Sequence, residues 1–263
     1  MAEAGQNGSD PAGDSRRIAQ LERKLDALIQ SVIPIGVALL ATRDFQHIVE
    51  TILLEAKALC RADGGTLYLR TDDDQLAFVI MRNDSLGIAM GGTSSTPIPY
   101  PPLPLRDPVT GEPNLRNVAT AAALHARSIN IADAYCADGY EFSGTLAFDR
   151  LSGYRSTSFL TVPLKNAAEH VIGVLQLLNA TDPATGAVVP FDPADLPLVE
   201  SLSALAAAAL EVYMREERLR REIRTLHIEI DEAKRARQVA EITETDYFQS
   251  LQSRVRQLRT RGD

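Results

Sequence analysis

Residues 158–179, SFLTVPLKNAAEHVIGVLQLLN, carry the clearest secondary-structure signal in the chain. Two β-type runs, 158–163 and 171–177, are rich in Val, Leu, Ile and Phe, and the polar turn 165–169 separates them. Apolar runs joined by a short polar turn are typical of a β-hairpin, in which the two strands lie antiparallel. We therefore expect an antiparallel sheet.

The neighbouring segments predict helices that cover this sheet. One helix follows a cap at Thr42 or Asp44 and should stop at Asp63-Gly64-Gly65. Because most strands are joined by short turns, the order predicts an α+β fold. In chain order the predicted elements are a helix at 45–59, a hairpin of strands 66–70 and 76–81 around the acidic turn 72–74, a loop at 90–113, a helix at 115–125, a strand at 128–131 and the hairpin above.

The loop at 90–113 is rich in Gly, Thr and Pro, which exclude regular helix and central strand. Long loops within compact domains are usually functional lids or poorly ordered segments. Tyr100, Leu103 and Leu105 give this loop apolar anchors with which to close over a pocket. Packing on the surface is the equally weighted alternative.

A long C-terminal helix is predicted from apolar residues that recur at alternating steps of four and three, with Glu216 as a break. Such a narrow apolar seam is typical of a coiled coil, so we expect a homodimer through residues 198–233. A similar series from Ile18 predicts an N-terminal helix, which Pro34 would kink or end. The C-terminal series is Leu198, Leu202, Leu205, Ala209, Val212, Leu219, Ile223, Leu226, Ile230 and Ala233.

Composition excludes several classes of partner. The chain has 27 Lys and Arg against 35 Asp and Glu, a net charge of -8, so we expect neither nucleic acid nor a membrane surface as partner. The most continuous apolar stretch, 32–41, is too short for the roughly 20 residues that span a bilayer. Two cysteines and an N-terminus without an apolar core indicate a cytoplasmic protein.

Several short motifs make the sequence resemble a GAF domain. They are NIADAY at 130–135, FD at 148–149 ahead of GYRS at 153–156, and VIGVLQLLN at 171–179. The likeness covers roughly 43–212 and is closest to the GAF domains of cyclic-nucleotide phosphodiesterases and nucleotidyl cyclases. It implies a pocket between the sheet and its covering loops. The ligand-binding candidates are Tyr100, Asn130, Ile131, Asp133, Phe148, Arg155, Thr157, Asn179, Phe191 and Asp195.

In those relatives, cyclic-nucleotide binding accompanies an Asn-Lys pair, a later Phe and an Asp-Glu pair. This chain matches at Asn179, Phe191 and Asp195, and departs at Ala180 and Leu196. The resemblance therefore suggests a cyclic nucleotide as a candidate effector and no other cofactor. Arg155 could hold a phosphate or carboxylate, or could form a surface ion pair with Asp149 or Asp133. Asp133 could equally cap a turn.

The patterns divide the chain into five parts. These are a disordered lead-in at 1–16, an N-terminal helix at 17–42, a GAF-like sensor domain at 43–196, a coiled-coil stalk at 197–240 and a C-terminal helical tail at 241–263. A second helix should start near Tyr247. Residues 239–258 are predicted to dock a separate output protein or to fold back on the stalk, and a frayed terminus is the alternative.

No catalytic or metal-binding motif is recognisable, including phosphate loop, H-E-x-x-H, nucleophile elbow and kinase signatures. We therefore expect a signal-transduction protein that binds a small molecule and acts on a separate effector through its dimeric helix. One alternative is a GAF-type free methionine sulfoxide reductase that uses Cys136, although no resolving thiol is evident. Another is a structural dimer that binds no ligand.

Overall fold

The protein is described from a computed structural model, which covers residues 33–41, 44–243 and 250. The helices are α1 (Ile33–Ala41), α2 (Phe45–Cys60), α3 (Val118–His125), α4 (Ser143–Ser152) and α5 (Leu196–Thr243). The strands are β1 (Ala62–Arg70), β2 (Gln75–Asn83), β3 (Ile88–Gly91), β4 (Leu103–Pro104), β5 (Ile129–Ile131), β6 (Phe159–Lys165), β7 (Val171–Thr181) and β8 (Val188–Val189).

All eight strands form one sheet in which every paired neighbour is antiparallel. The strand order is β3-β2-β1-β7-β6-β5, with β4 beside β2 and β8 beside β7. The hairpin predicted from 158–179 is the β6–β7 pair, in which Leu160 lies opposite Leu177. The predicted α+β class with an antiparallel sheet is confirmed.

One face of the sheet packs against α2 and the first part of α5. Strand residues that point to this face alternate with residues that point to the other, as the pleat requires. The resulting core is built from aliphatic side chains of all three layers. It includes Ile48, Ile52, Leu53 and Ala56 of α2, Leu67, Leu160 and Leu175 of the sheet, and Val199, Leu202, Ala206 and Leu210 of α5.

The opposite face is covered by α3, α4 and the segments that join them. Two smaller apolar clusters lie here. In one, Tyr68 and Val174 meet Ala119 of α3, and in the other Phe159 meets Phe142 and Ile131. The central part of this face, between the two clusters and beneath α4, holds the cavity described below.

The ends of α2 show why one predicted boundary was right and another wrong. Asp44 caps the helix by accepting a hydrogen bond from the Gln46 amide at 2.9 Å, as predicted. The helix ends at Cys60 and Arg61 is left-handed, with φ 49°, so Asp63-Gly64-Gly65 does not stop it. Those residues already belong to β1, where a Cβ on Gly65 would lie 2.8 Å from Leu53. The glycine there permits a close approach of helix and strand.

No helix was predicted between β5 and β6, but this segment contains α4. Nothing in its sequence marks a helix start, because Phe142 occupies the cap position and makes no side-chain cap hydrogen bond. Asp149 is the fully buried residue of α4 among those described, and Leu146 and Phe148 are half-buried. The predicted loop at 90–113 likewise contains the end of β3 and the short strand β4.

The chain divides into two compact units at Tyr213 and Met214, inside α5. The sequence placed the domain boundary at 196, because it assigned the whole apolar series to a seam between two chains. Leu202 and Ala209 of that series are instead buried in the core of their own chain. That first part therefore needs no second helix to cover it. Val212, Leu219 and Ile223 are 48, 51 and 55 % exposed.

Other predictions fall on residues that the structure does not describe. These are the lead-in at 1–16, most of the N-terminal helix at 17–42, the helix near Tyr247 and most of the proposed docking segment 239–258. The side chains of Leu226, Ile230 and Ala233 also lie outside the described set. Pro34 lies in the first turn of α1 as described, where its missing N–H costs no helical bond.

One described helix segment, over residues 196–225, is long and apolar enough to cross a bilayer by length and composition. The sequence had pointed instead to 32–41 as the most continuous apolar stretch. In the structure 39 % of the apolar window in α5 is buried inside the protein. Because Val199, Leu202 and Ala206 belong to the core, packing within the domain accounts for this composition, and membrane insertion is not shown.

Candidate functional site

A cavity of about 70 Å³ lies on the sheet face that α4 covers. Its lining comes from strands β1, β2, β3, β6 and β7 and from Phe148 of α4. The cavity is small and partly open to solvent. The lining consists of Gly65, Thr66, Met81, Arg82, Asn83, Ile88, Phe148, Phe159, Gln176 and Leu178.

A row of polar side chains crosses the sheet at this cavity, and two of its members, Thr66 and Gln176, line the cavity. Thr66 of β1, Gln176 of β7 and Thr161 of β6 lie directly opposite one another in register. Gln176 Nε2 donates to Thr161 Oγ1 at 3.2 Å, and Gln176 Oε1 accepts a long bond of 3.3 Å from the Tyr68 hydroxyl. Burial raises the pKa of Tyr68, so its hydroxyl stays a neutral donor. A half-buried glutamine on a central strand, between the buried Leu175 and Leu177, is typical of a site that binds polar groups.

Helix α4 forms the cover, and Phe148 is its contact with the cavity. The helix is anchored by Asp149, a buried carboxylate that accepts bonds from the Ser156 amide and hydroxyl, both at 2.8 Å, and from the Tyr135 hydroxyl at 2.6 Å. Gly153, at its C-terminal end, has φ 70°. Glycine adopts this conformation without steric cost, and its backbone dihedral angles can change more freely than those of other residues. Gly153 can therefore act as a hinge about which α4 changes its orientation.

A buried hydrogen-bond network closes the end of the cavity at Asn83. Tyr154 donates its hydroxyl proton to Asp63 and accepts hydrogen bonds from Asn83 and from Asn179, the latter at 2.8 Å. Burial and the hydrogen bond to Asp63 together raise the pKa of Tyr154, which keeps the phenol protonated. Asp63 also accepts from the Ser85 amide and hydroxyl at 3.1 and 2.6 Å.

Of the ten predicted ligand-binding residues, Phe148 lines the cavity. Asn179 instead supports the chain after α4, in a left-handed conformation with φ 54°. Its Oδ1 accepts from the Thr157 and Ser158 amides at 2.7 and 3.2 Å, and its Nδ2 donates to the Arg155 carbonyl at 2.7 Å. The two predicted residues Asn179 and Thr157 are therefore hydrogen-bonded to each other next to the site.

The other two matched positions of the family's cyclic-nucleotide motif lie away from the cavity. Phe191 is buried in the core on the α2 side of the sheet, and its carbonyl accepts a bond from Asn130 Nδ2 at 3.1 Å. Asp195 precedes α5, where its backbone carbonyl accepts hydrogen bonds from the Leu198 and Val199 amides. Asn130, Phe191 and Asp195 thus sit at the start of α5 and at the sheet edge beside it.

The remaining predicted residues also have structural partners. Asp133 accepts from the Tyr135 amide at 2.8 Å and so caps a turn, one of the two alternatives considered. Arg155 stacks on the Tyr135 ring at 3.9 Å from its centroid, rather than pairing with a carboxylate. Ile131 is part of the apolar cluster under α3. Tyr100 packs on Phe78 with ring centroids 5.6 Å apart, so the long loop lies against the sheet.

Sequence reasoning missed most of the residues that line the cavity. Thr66, Asn83 and Gln176 supply polar side chains, and Met81, Phe159 and Leu178 supply apolar ones. A signal was available, because Gln176 interrupts the apolar run VIGVLQLLN on the strand face opposite Leu175 and Leu177. A polar residue in the middle of an otherwise apolar strand is a better indicator of a binding site than the residues of the surrounding loops.

The two cysteines are not brought together. Cys60 is buried at the end of α2, where burial and then the charge of Asp195 raise its thiol pKa to about 12. Cys136 is exposed in the turn after β5, on the other side of the sheet, and lies 3.7 Å from Asp133 Oδ2. A nucleophilic thiol with a nearby resolving thiol is therefore not assembled. Within the described part of the chain, no group of three His, Cys, Asp or Glu residues could hold a metal ion.

A larger groove, of about 630 Å³, lies between α5 and the outer end of β6. Strand β5 pairs only with Phe159–Thr161, which leaves the rest of β6 without a strand on that side in the described structure. Thr157 O accepts from Ala134 N on the β5 side, and Ser158 O accepts from Asn179 N on the β7 side. Along a strand, the backbone N–H and C=O groups of successive residues point to alternate sides. The backbone of Pro163 therefore points to the open side of β6, where its missing N–H removes no hydrogen bond from the sheet.

Together, the antiparallel sheet, the helices on both faces and the cavity under α4 define an α+β domain with a small site on one sheet face. The GAF domain family model matches residues 44–210, so the chain belongs to the GAF family. The match includes the first part of α5, which agrees with its place in the core. GAF domains are generally small-molecule-binding regulatory domains of signalling proteins.

Solved structures support the fold. The chain is similar to GAF domains of phosphoenolpyruvate-protein phosphotransferases from Coxiella burnetii (14 % identity, TM-score 0.52) and Acinetobacter (12 %, 0.50), each covering 72 % of this chain and 96 % of that chain. It is also similar to a free methionine-R-sulfoxide reductase from Neisseria meningitidis, at 17 % identity and TM-score 0.48, covering 82 % and 99 %. Identities this low show the fold alone. No curated protein matches the chain.

Proposed function

We propose that this protein is a regulatory sensor that binds a small molecule in the sheet-face cavity and passes its occupancy to a separate effector. The observation that carries the proposal is the polar row of Thr66, Gln176 and Thr161 beneath the cover helix α4. Polar side chains that lie among apolar ones on a covered sheet face commonly fix the orientation of a ligand. Membership of the GAF family supports the same class of function.

A ligand could act on the cover, because Phe148 of α4 belongs to the lining that a bound molecule would contact. The cover is tied through Asp149 to Ser156, and through Asn179 to the start of β6. We infer that binding shifts the population between a closed and an open cover.

The output step rests on α5. The helix contributes Val199 and Leu202 to the core and is continuous to Thr243, with Val212, Leu219 and Ile223 exposed. We propose that these apolar side chains pack against the same helix of a second copy. In this proposal the dimer contact uses only the later part of the predicted 198–233 series, after the residues that are buried in the domain core. The effector would dock on 239–258, and the protein would work in the cytoplasm.

Ligand sensing is tested by thermal shift of the full-length protein against a library of metabolites that includes cyclic AMP and cyclic GMP. Gln176→Leu is the test variant, and Leu151→Ala is the matched control, because Leu151 lies on α4 but is 90 % exposed. We expect at least one compound to stabilise the wild type and the control but not Gln176→Leu. If no compound stabilises the wild type, the structural dimer is favoured over the sensor.

Dimerisation is tested by sedimentation velocity at micromolar concentration. The wild type should sediment as a dimer, and a double variant, Leu219→Glu with Ile223→Glu, should sediment as a monomer because two charges enter the apolar contact. Val109→Glu is the control, since Val109 is 91 % exposed in a loop. A wild-type protein that sediments as a single subunit refutes the proposed output step.

A further inference from the structure

We infer that the sheet-face cavity is built for an uncharged, hydrogen-bonding ligand such as a carboxamide, and that it excludes anions. The inference rests on the proposed sensor function and deepens it by naming the chemical class of the ligand. It follows from how the charged and polar side chains around the cavity are already used.

Arg82 is the one residue of the lining with a charged side chain among those described, and its guanidinium is fully occupied. Its Nε and Nη2 donate to the two carboxylate oxygens of Glu50, the first at 2.8 Å. Nη1 donates to the Met81 and Met90 carbonyls, both at 2.8 Å, and Nη2 also donates to the Gly91 carbonyl at 3.1 Å. A guanidinium has five N–H donors, so none is left for a ligand.

The nearby carboxylates are committed as well. Asp63, behind Asn83, accepts from Tyr154 on one oxygen and from Ser85 on the other. Asp149, on α4, accepts from Ser156 and Tyr135. An anion in the cavity would therefore lose its hydration without gaining a cationic partner, and the nearest fixed negative charges would repel it. A phosphate-bearing ligand is disfavoured for this reason.

The neutral polar groups of the lining have capacity to spare. Gln176 Nε2 has two protons and one recorded acceptor, Thr161, while Oε1 accepts a single long bond from Tyr68. The amide of Gln176 thus offers one donor and one acceptor side by side. A carboxamide on a ligand presents the complementary pair, and the apolar walls of Met81, Phe159 and Leu178 suit the remainder of the molecule.

The experiment compares neutral molecules with anions of the same shape. The full-length protein is titrated at constant ionic strength with acetamide against acetate, and with nicotinamide against nicotinate, with cyclic AMP as a phosphate-bearing probe. We expect an amide at a few times its Kd to raise the melting temperature by about 2–4 °C, while the matched carboxylate and cyclic AMP do not. The effect should disappear in Gln176→Leu and persist in Leu151→Ala.

Each other outcome overturns the inference. If acetate, nicotinate or cyclic AMP stabilises the protein as well as the amides do, and Gln176→Leu abolishes that effect, then the cavity binds anions and the sensor function stands without this inference. If the amides give no shift at about 20 mM, where even a Kd of about 5 mM would register, the inference fails. The sensor function is then judged separately by the metabolite screen.

Discussion

Replacing Glu50 with alanine should destabilise the domain strongly, because it leaves the Arg82 guanidinium buried without a counter-charge. The Arg82 and Glu50 side chains are 9 and 16 % exposed, and Glu50 also accepts from the Thr93 amide and hydroxyl at 3.1 Å. Removing one partner of a buried ion pair costs about 3–5 kcal/mol. At about 2–4 °C per kcal/mol, the lower bound alone lowers the melting temperature by roughly 6–12 °C.

The assay is urea unfolding followed by circular dichroism, with two comparison proteins. Glu169→Ala removes a partner from an exposed pair, in which Lys165 Nζ and Glu169 Oε2 are 3.3 Å apart, and should cost less than about 1 kcal/mol. Glu50→Leu combined with Arg82→Met removes both charges and should recover most of the lost stability. The reasoning is refuted if Glu50→Ala is within about 1 kcal/mol of the wild type.

Three further results are expected from the same network and the site. Burial alone would raise the pKa of Glu50, but the hydrogen bonds from Arg82 and Thr93 outweigh it and lower that pKa. The stabilising effect of the ionised Glu50 is therefore present above the unfolded pKa of about 4.3 and is lost as pH falls through the folded pKa. The urea midpoints of the wild type and Glu50→Gln should accordingly converge in acid. Asn179→Gly should lower the free energy of unfolding in urea by about 2–3 kcal/mol, because the side-chain hydrogen bonds of Asn179 are lost. Asn179→Ala should lower it by about 1 kcal/mol more, because the φ angle of this residue is positive and alanine is strained there. Equal losses in the two variants would contradict the strain argument. Phe148→Ala should lower the free energy of unfolding by less than about 3 kcal/mol in the same assay, since the ring is only half-buried. The control Leu151→Ala should change it by less than about 0.5 kcal/mol. Equal effects of the two variants would show that Phe148 does not pack against the cavity.

The parts of the fold that follow from local patterns could be read from the sequence. Asp44 as a cap and the hairpin around 165–169 depend on a few adjacent residues, and both are confirmed. The family was also recognised, because short motifs such as GYRS at 153–156 are visible without the tertiary structure. The nearer likeness to phosphodiesterase and cyclase GAF domains stays a prediction.

The parts that depend on tertiary contacts were not predictable in the same way. The apolar spacing of Leu202 and Ala209 is identical whether a helix packs on its own sheet or on a second chain, and only the structure shows the first arrangement. Helix α4 lacks a side-chain cap, and the hydrogen bonds from Ser156 to Asp149 that anchor it are visible only in the tertiary structure. The candidate site was missed for a related reason, because Gln176, Thr66 and Thr161 come together only when three strands align.

Pro163 has a consequence for the behaviour of the protein in crowded solution. An uncovered strand with its full set of donors and acceptors is a template for the strands of other molecules, and proteins commonly blunt such edges with proline and lysine. Beyond Thr161, the uncovered side of β6 presents Pro163, which has no donor, and then Lys165, whose charge is unfavourable inside a stack of sheets. The outer end of β6 is thereby protected from amyloid-like growth without a covering strand.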